Sequence, residues 1–268
     1  MPIPITDPDD PRIEAYRAVR ERDLAGRENR FVAEGEVVLR VLLRQSRFSV
    51  ESLLLSEGRI EGLRDVTDGL PEAVPVYAAS RQVMDAIVGF PIHRGVLAVA
   101  HRAPLPTAEE LLAGLPERAL LVGLVGLANH DNVGGIFRNA AAFGAQAVLL
   151  DPQTCDPLYR KAIRVSVGGA LIVPFTRASS PDAMVGALEN AGFDVIALTP
   201  SGRETLSRIP HSPRAALLLG AEGPGLPPAL LERTRTVSIP MSGGFDSLNV
   251  ATTSGIALHH LAGTGMEN

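Results

Sequence analysis

Three stretches in the second half of the chain group side chains that could hold an anion or an electron-rich oxygen. The first runs from Asn132 to Gly144, where Ile136, Ala140, Ala141 and Phe143 recur at helical spacing around Asn132 and Arg138. That pattern predicts a helix closed by Gly144, with Arg138 nearly two turns from Asn132 so that both face one cleft. A guanidinium so placed offers a rigid fork of N–H donors to a phosphate or a developing alkoxide. Taken alone, the stretch fits equally a helix that Asp131 or Asn132 merely caps, with Arg138 in water.

The second stretch follows the apolar run Ala216-Leu-Leu-Leu-Gly220 with Ala-Glu-Gly-Pro-Gly-Leu-Pro, an acid set among glycines and prolines. Glycines there let backbone approach a ligand, and prolines hold the loop's shape. In the third, Ile239-Pro-Met-Ser-Gly-Gly-Phe-Asp-Ser-Leu-Asn249, a strand gives way to a glycine loop and a helix expected to begin with Ser247, Leu248 and Asn249. Each alone is ordinary turn chemistry, with Asp246 or Ser247 capping; three together favour a pocket.

These loops need strands to present them. Ala119 to Leu127 is predicted as a buried strand leading into the helix from Asn132 to Phe143, followed by strand Ala147 to Leu150 and helix Leu158 to Val165. Strands Leu171 to Pro174, Asp194 to Leu198, Arg214 to Leu219 and Thr236 to Ile239 then alternate with helices Pro181 to Ala191, Pro227 to Arg233 and Ser247 to Leu261. Strand and helix in alternation imply a mostly parallel sheet covered on both faces, with polar groups at the carboxyl ends of its strands. The glycines Gly123, Gly126, Gly134 and Gly135 do not form the G-x-G-x-x-G turn of a dinucleotide site, which disfavours a nicotinamide-dependent oxidoreductase.

Residues 1–102 read as a smaller α/β/α sandwich, residues 103–116 as a linker with a helix capped by Thr107, and residues 117–268 as the catalytic domain. In the first domain, helices are expected at Pro11 to Asp23, Glu36 to Gln45, Arg59 to Val66 and Ser80 to Ile87. Strands are expected at Arg30 to Ala33, Val50 to Leu55, Val74 to Tyr77 and Val96 to His101. Its Arg-rich opening, with Arg12, Arg17, Arg20, Arg22, Arg27 and Arg30, is offset by Glu14, Glu21, Asp23 and Glu28; a solvated, salt-bridged helix and an RNA-facing stripe both fit. With few aromatics for stacking, any RNA would be met through phosphates and shape.

At 268 residues, 46% hydrophobic and 21% charged, the chain has the composition of a soluble globular protein with a sizeable core. Its net charge of −5 gives no global attraction for nucleic acid, so RNA contact must come from a local patch. All 25 basic residues except Lys161 are arginine, which a GC-rich coding bias explains as well as selection for phosphate contacts does. A single cysteine, Cys155, excludes an internal disulfide framework and reads as part of a turn. No signal-peptide pattern or membrane-length apolar run is found, so a cytoplasmic protein without membrane partners is expected. No clustered metal-ligand set is visible, and no metal is expected.

The motifs N-x-G-x-x-x-R-x-A-x-x-F-G at Asn132 to Gly144, G-x-E-x-x-G-L-P at Gly220 to Pro227 and I-P-M-x-G-x-x-x-S-L-N-V-A at Ile239 to Ala251 resemble the three motifs of the SpoU/TrmH family in the SPOUT superfamily. The segment Arg160-Lys-Ala-Ile-Arg-Val-Ser-Val-Gly-Gly-Ala170 is similar to the family's Arg-x-Ser-x-Gly segment. More weakly, Phe31-Val-Ala-Glu-Gly-Glu36 and Phe90-Pro-Ile-His-Arg-Gly95 resemble its ribosomal-protein-like RNA-binding domain.

The resemblance implies an RNA ribose 2′-O-methyltransferase that uses S-adenosylmethionine, with a trefoil-knotted α/β catalytic domain working as a homodimer. It carries Asn132, Arg138, Glu222, Ser247 and Asn249 over as active-site positions, and Thr199, Leu219, Gly220, Ile239, Met241 and Leu248 as cofactor contacts. Leu218, Ile239 and Leu248 would supply an apolar slot for the cofactor's adenine. The expected substrate is rRNA, 23S first, with tRNA second. The alternative is a non-catalytic RNA-binding or ribosome-assembly factor that keeps the fold, and base methylation is a further variant.

Overall fold

The computed structural model describes residues 1–17, 29–89, 94–243 and 247–263. The chain divides into two compact units, Met1–Ala103 with Leu158–Ile172, and Pro104–Pro157 with Val173–Asn268. The expected linker therefore contributes a helix to the second unit, while the Arg160–Ala170 segment folds with the first.

In the first unit a five-stranded sheet is built from β1 (Ile3–Ile5), β2 (Arg30–Glu34), β3 (Val50–Ser56), β4 (Val76–Ala79) and β5 (Val96–His101), in the order β1-β4-β3-β5-β2. The pairs β1–β4 and β4–β3 are parallel, whereas β3–β5 and β5–β2 are antiparallel. Helix α1 (Glu36–Gln45) packs on β2 and β5 through Val38, Leu39 and Leu42. A short α2 (Arg64–Thr67) and α3 (Arg81–Val88) complete the regular helices of residues 29–89. Met84, Ile87 and Val88 of α3 join Ile13, Tyr16, Leu54 and Val99 in one core.

The helix expected at Pro11 to Asp23 is a 3-10 helix over Pro11–Tyr16 that ends at Arg17, and residues 18–28, with Arg20, Arg22 and Arg27, lie outside the described residues. The expected Arg59 to Val66 helix is two 3-10 turns ahead of α2; Gly58 and Gly62 lower the helical preference there. Strand β1, whose proline disguises its pairing with Tyr77 to Ala79, was not expected from the sequence.

Between residues 158 and 172 the chain forms α6 (Arg160–Val165) and α7 (Gly169–Ile172), once α4 (Ala108–Ala113) and α5 (His130–Ala142) of the second unit have been passed. Of the strand predicted at Leu171 to Pro174, Leu171 and Ile172 instead end α7, and the strand follows as β8 (Phe175–Arg177). A four-residue apolar run carries too little periodicity to separate the two, and the turn at Val167 and Gly168, both at positive φ, starts a helical turn instead.

Helix α6 packs on β2, where the carboxylate of Glu34, only 4% exposed, is paired with the Arg160 guanidinium and lies 3.7 Å from Arg164 Nη1. Gly168 also belongs to this contact: a Cβ there would stand 2.9 Å from Val41 of α1.

The second unit holds a wholly parallel seven-stranded sheet, β10-β12-β9-β11-β6-β7-β8, from β6 (Ala119–Val125), β7 (Ala147–Leu150), β8, β9 (Asp194–Leu198), β10 (Glu204–Thr205), β11 (Arg214–Gly220) and β12 (Arg235–Ser238). On one face, α4, α8 (Pro181–Asn190) and α9 (Pro228–Arg233) bury Leu112, Met184, Leu188 and Leu230 against Leu121, Ala197 and Leu218. On the other, α5 packs on β7 and α10 (Val250–Ala262) on β11. Both faces are covered, as the near-continuous apolar strands require. The short edge strand β10, also not expected, is held by Arg235, whose guanidinium meets both oxygens of Glu204 at 2.7 Å. Among the described residues no helix is long and apolar enough to cross a membrane.

Removing the buried Glu34 carboxylate breaks its ion pair with the Arg160 guanidinium, and losing one side of a buried pair commonly costs about 3 kcal/mol or more. Glu34→Ala is expected to lower the unfolding free energy by about that amount in a urea titration, whereas exposed Glu61→Ala, which breaks only a surface pair with Arg64, changes it by less than about 1 kcal/mol.

Candidate active site

The carboxyl ends of three neighbouring strands, β12, β9 and β11, open onto one cavity of about 430 Å³. Leu198, Thr199 and Pro200 enter it from the end of β9, Leu219 to Gly223 with Gly225 from β11, and Ile239 and Met241 from β12; Ser247 to Val250 and Thr253 close it from the start of α10. Its size and its mixture of apolar side chains with exposed backbone polar groups suit a ligand as large as a nucleoside. Strand register sets which residues face it. Leu219 lines the cavity, while its neighbour Leu218 points to the opposite face of the sheet and fills the space beside Gly123. The slot assigned to Leu218 is therefore made by Leu198 and Leu219 instead.

Glycine is needed at the rim for a specific reason. A Cβ on Gly220 would lie 2.4 Å from the carbonyl carbon of Gly225 and from the amide nitrogen of Leu226, so the loop can fold back on the end of β11 only without one. Gly223 and Gly225 take positive φ within this turn, and Gly225 N donates to Ala221 O at 3.0 Å. Glu222 is thereby carried over the neighbouring helix α5.

There its Oε1 accepts a 2.6 Å hydrogen bond from Asn132 Nδ2, and Asn132 Oδ1 accepts one of 2.8 Å from Asn249 Nδ2. Asn132 is buried, and its amide is used at both ends. Asn249 is used three ways, since its Oδ1 also accepts from Ala251 N and Thr252 N and so caps α10. The three sequence motifs thus meet in one chain of side-chain amides and a carboxylate. Helix α10 starts at Val250, not Ser247, because Asn249 takes the cap; Ser247 and Leu248 remain non-helical and exposed at the cavity mouth. Asp246, offered as a possible cap, lies outside the described residues.

Nine of the expected site residues, Thr199, Leu219, Gly220, Glu222, Ile239, Met241, Ser247, Leu248 and Asn249, line this cavity. Asn132 stands behind it, bonded to two of them. Arg138 does not line it: the residue is exposed on α5 and makes no hydrogen bond or ion pair with the described residues. Six residues turn an α-helix by about 600°, so Asn132 and Arg138 stand roughly 120° apart around the axis and do not share a face. The cap of α5 is Asn129, which accepts from Asp131 N, and neither of the two residues expected there.

Leu198, Pro200, Val250 and Thr253 also line the cavity and were not singled out from the sequence. Thr253 follows Asn249 by one helical turn and donates to its carbonyl at 2.9 Å, a spacing that could have marked it. Asn139 was missed too: its Nδ2 donates to Ala251 O at 2.7 Å and Ser254 Oγ at 2.9 Å, clamping α5 to α10. Gly135 permits that approach, since a Cβ there would stand 2.7 Å from Ala251. Cys155 sits apart from the cavity in the turn after β7, and burial pushes its thiol up to about 11, which leaves it a neutral thiol at physiological pH. Among the described residues no three His, Cys, Asp or Glu side chains gather in a metal-binding group.

Asn132→Ala removes the link between the three loops and strands the amide of Asn249 and the carboxylate of Glu222. It is expected to lower unfolding free energy by about 1–3 kcal/mol, measured by chemical denaturation, with Asn139→Ala having a comparable effect through the α5–α10 contact.

The chain is similar to known proteins over most of its length. The profile of the SpoU rRNA Methylase family matches residues 119–259. An uncharacterized tRNA/rRNA methyltransferase of Mycobacterium bovis is 40% identical over 97% of this chain and 92% of its own length. The 23S rRNA (guanosine(2553)-2′-O)-methyltransferase RlmP of Bacillus subtilis is 28% identical over 94% of this chain and 96% of its own. Among solved structures, an AdoMet-bound rRNA methyltransferase from Sinorhizobium meliloti superposes with a TM-score of 0.82 at 25% identity, covering 99% of both chains. The profile spans all three loops that meet at Asn132, and the relatives extend over both units: this chain belongs to the SpoU rRNA Methylase family.

Proposed function

We propose that the protein transfers a methyl group from S-adenosylmethionine to a ribose 2′-hydroxyl of rRNA, with 23S rRNA as first choice and tRNA as second. The observation that carries this reading is the hydrogen-bonded chain Asn249–Asn132–Glu222, which ties together the three motif loops around a nucleoside-sized cavity in a member of an RNA methylase family.

The cavity fits the cofactor. Leu198, Leu219, Ile239 and Leu248 would flank a planar base, and the glycine-permitted turn at Gly220 to Gly225 leaves backbone polar groups within its reach. When bound, S-adenosylmethionine supplies a methyl group on a positively charged sulfur. Ser247 and Asn249 sit at the mouth of the cavity, where they can orient a ribose, and Glu222 and Asn132 hold Asn249 in place. Positioning of this kind, which brings reacting atoms to about 3 Å, supplies a large part of methyl-transfer catalysis.

Arg138 is assigned to the RNA side. Its guanidinium is exposed, lies off the cavity lining and is uncommitted to any described carboxylate; the role assigned to it, stabilising the developing alkoxide and fixing a neighbouring phosphate, is one it would take up only with RNA bound. Guanidinium groups are not deprotonated in proteins, so the part of the base is left to another group. The reading includes a knotted catalytic unit and a homodimer.

The test is transfer of labelled methyl from S-adenosylmethionine to unmodified 23S rRNA and to tRNA, followed by alkaline hydrolysis. A ribose methyl removes the 2′-hydroxyl nucleophile, so label is expected in alkali-resistant dinucleotides. Label in mononucleotides would mean base methylation. Absence of transfer and of cofactor binding would establish the alternative, an RNA-binding or assembly factor. Arg138→Lys is expected to lower kcat by about 100-fold with cofactor Kd within about threefold of wild type, because an ammonium cannot reproduce the fork; near-normal turnover would remove Arg138 from this role.

A further inference from the structure

Most arginines of the first unit are neutralised close by. Arg12 is paired with Asp10, Arg17 with Asp9, Arg30 with Glu51, Arg40 with Glu36 and Asp65, Arg44 with Asp65, and Arg64 with Glu61. Three others surround one small cavity of about 190 Å³: Arg59, Arg81 and Arg94, with Ser56, Gly58 and Gly95. Arg81 and Arg94 make no ion pair with the described residues, and Arg59 has only a long one, 3.9 Å from Glu36 Oε2, while Arg40 holds Oε1 of the same carboxylate. Among the described residues no acidic side chain lines the cavity.

The grouping is built into the backbone. Arg81 opens α3, Arg59 follows β3, and Arg94 precedes β5. Gly95 adopts a positive φ, and a Cβ there would stand 2.4 Å from Ser56 Oγ. Gly35, also at positive φ, lies under the Arg94 side chain; its Cβ would meet Arg94 Nη1 at 2.9 Å. Only glycines at these two places let Arg94 lie flat over the β2–α1 corner and bring the end of β3 against the start of β5.

In a chain whose net charge is −5, three exposed arginines around one cavity make a local cationic patch that a polyanionic ligand would neutralise. Each fork matches a pair of phosphate oxygens, and among the described residues the lining has no aromatic side chain on which a base could stack. We propose that Arg59, Arg81 and Arg94 form a cradle for one phosphodiester group of the RNA substrate, anchoring it to the first unit. This rests on the reading of the protein as an RNA methyltransferase. Contacts of this type fix register and carry no sequence information.

The test compares wild type, Arg81→Gln/Arg94→Gln and the control Arg64→Gln, an exposed and paired arginine of the same unit. It uses direct binding to a 23S rRNA transcript over a salt series, together with steady-state methyl transfer. The double variant is expected to raise both RNA Kd and KM about tenfold, with kcat at saturating RNA and cofactor Kd changed less than twofold. The slope of log K against log salt should fall by about one, as for loss of one phosphate contact, and thermal melting should not shift. Arg64→Gln should match wild type.

Methyl transfer with unchanged KM and unchanged salt slope in the double variant overturns the cradle while leaving the proposed reaction intact. Arginine-dependent RNA binding by a wild-type protein that transfers no methyl supports the cradle and overturns the reaction. Inorganic phosphate is the remaining probe. If it binds in an Arg81- and Arg94-dependent way while RNA affinity is indifferent to both residues, the ligand is a free phosphate and the proposal fails.

Discussion

The side-chain amide of Asn132 is the constraint on which the catalytic unit turns. It is buried, donates to Glu222 and accepts from Asn249, so it fixes two loops that arrive from different strands at distances of 2.6 and 2.8 Å. An amide is suited to this because it presents one donor and one acceptor face in a plane; a carboxylate or a hydroxyl at the same place would satisfy one neighbour and repel or miss the other. Asn249 extends the arrangement into the backbone by capping α10 with its remaining oxygen. The position of the Ser247–Leu248 stretch at the cavity mouth therefore depends on how Asn132 sits on α5.

Close packing of α5 and α10 makes that possible. Gly135 and Gly255 remove the bulk that would hold the helices apart, and Asn139 occupies the space with hydrogen bonds to Ala251 and Ser254. The helices therefore meet through small residues and polar side chains. Precision at a site of this kind comes from supporting contacts of just this sort, since a displacement of about 1 Å is enough to spoil a reacting geometry. In the first unit a comparable role falls to Glu34, whose ion pair with Arg160 holds α6 against β2.

Charge is handled differently in the two units. The candidate cavity contains few charges: among its described lining residues Glu222 is the one carboxylate, and it is committed to an amide. That suits a group bound by shape and backbone contacts, with the protein's cations kept for RNA. Cations are instead exposed at Arg138 and gathered around the cavity at Arg59, Arg81 and Arg94. A protein with excess negative charge can approach a polyanion only if such patches are local and pre-formed, because its overall field is repulsive.

The sequence by itself determined the architecture of the second unit, since apolar runs of strand length alternating with amphipathic helices leave little choice beyond a parallel sheet covered on both faces. It also marked the three loops that form the cavity, because glycines, prolines and polar residues at strand ends are dictated by local backbone conformation. Short elements were less legible: Leu171 belongs to a helical turn, and Ile3–Ile5 and Glu204–Thr205 form strands that take their stability from Tyr77–Ala79 and from Arg235. Which side chains meet was decided only in three dimensions. The pairings of Asn132 with residues 90 and 117 positions away, and of Glu34 with Arg160, 126 away, have no local signature. Likewise Leu219 rather than Leu218 faces the cavity, and Arg138 stands a third of a turn from where a shared cleft would need it. Periodicity specifies which residues lie on one face of an element, but the partner that face meets is chosen by packing among elements distant in the chain.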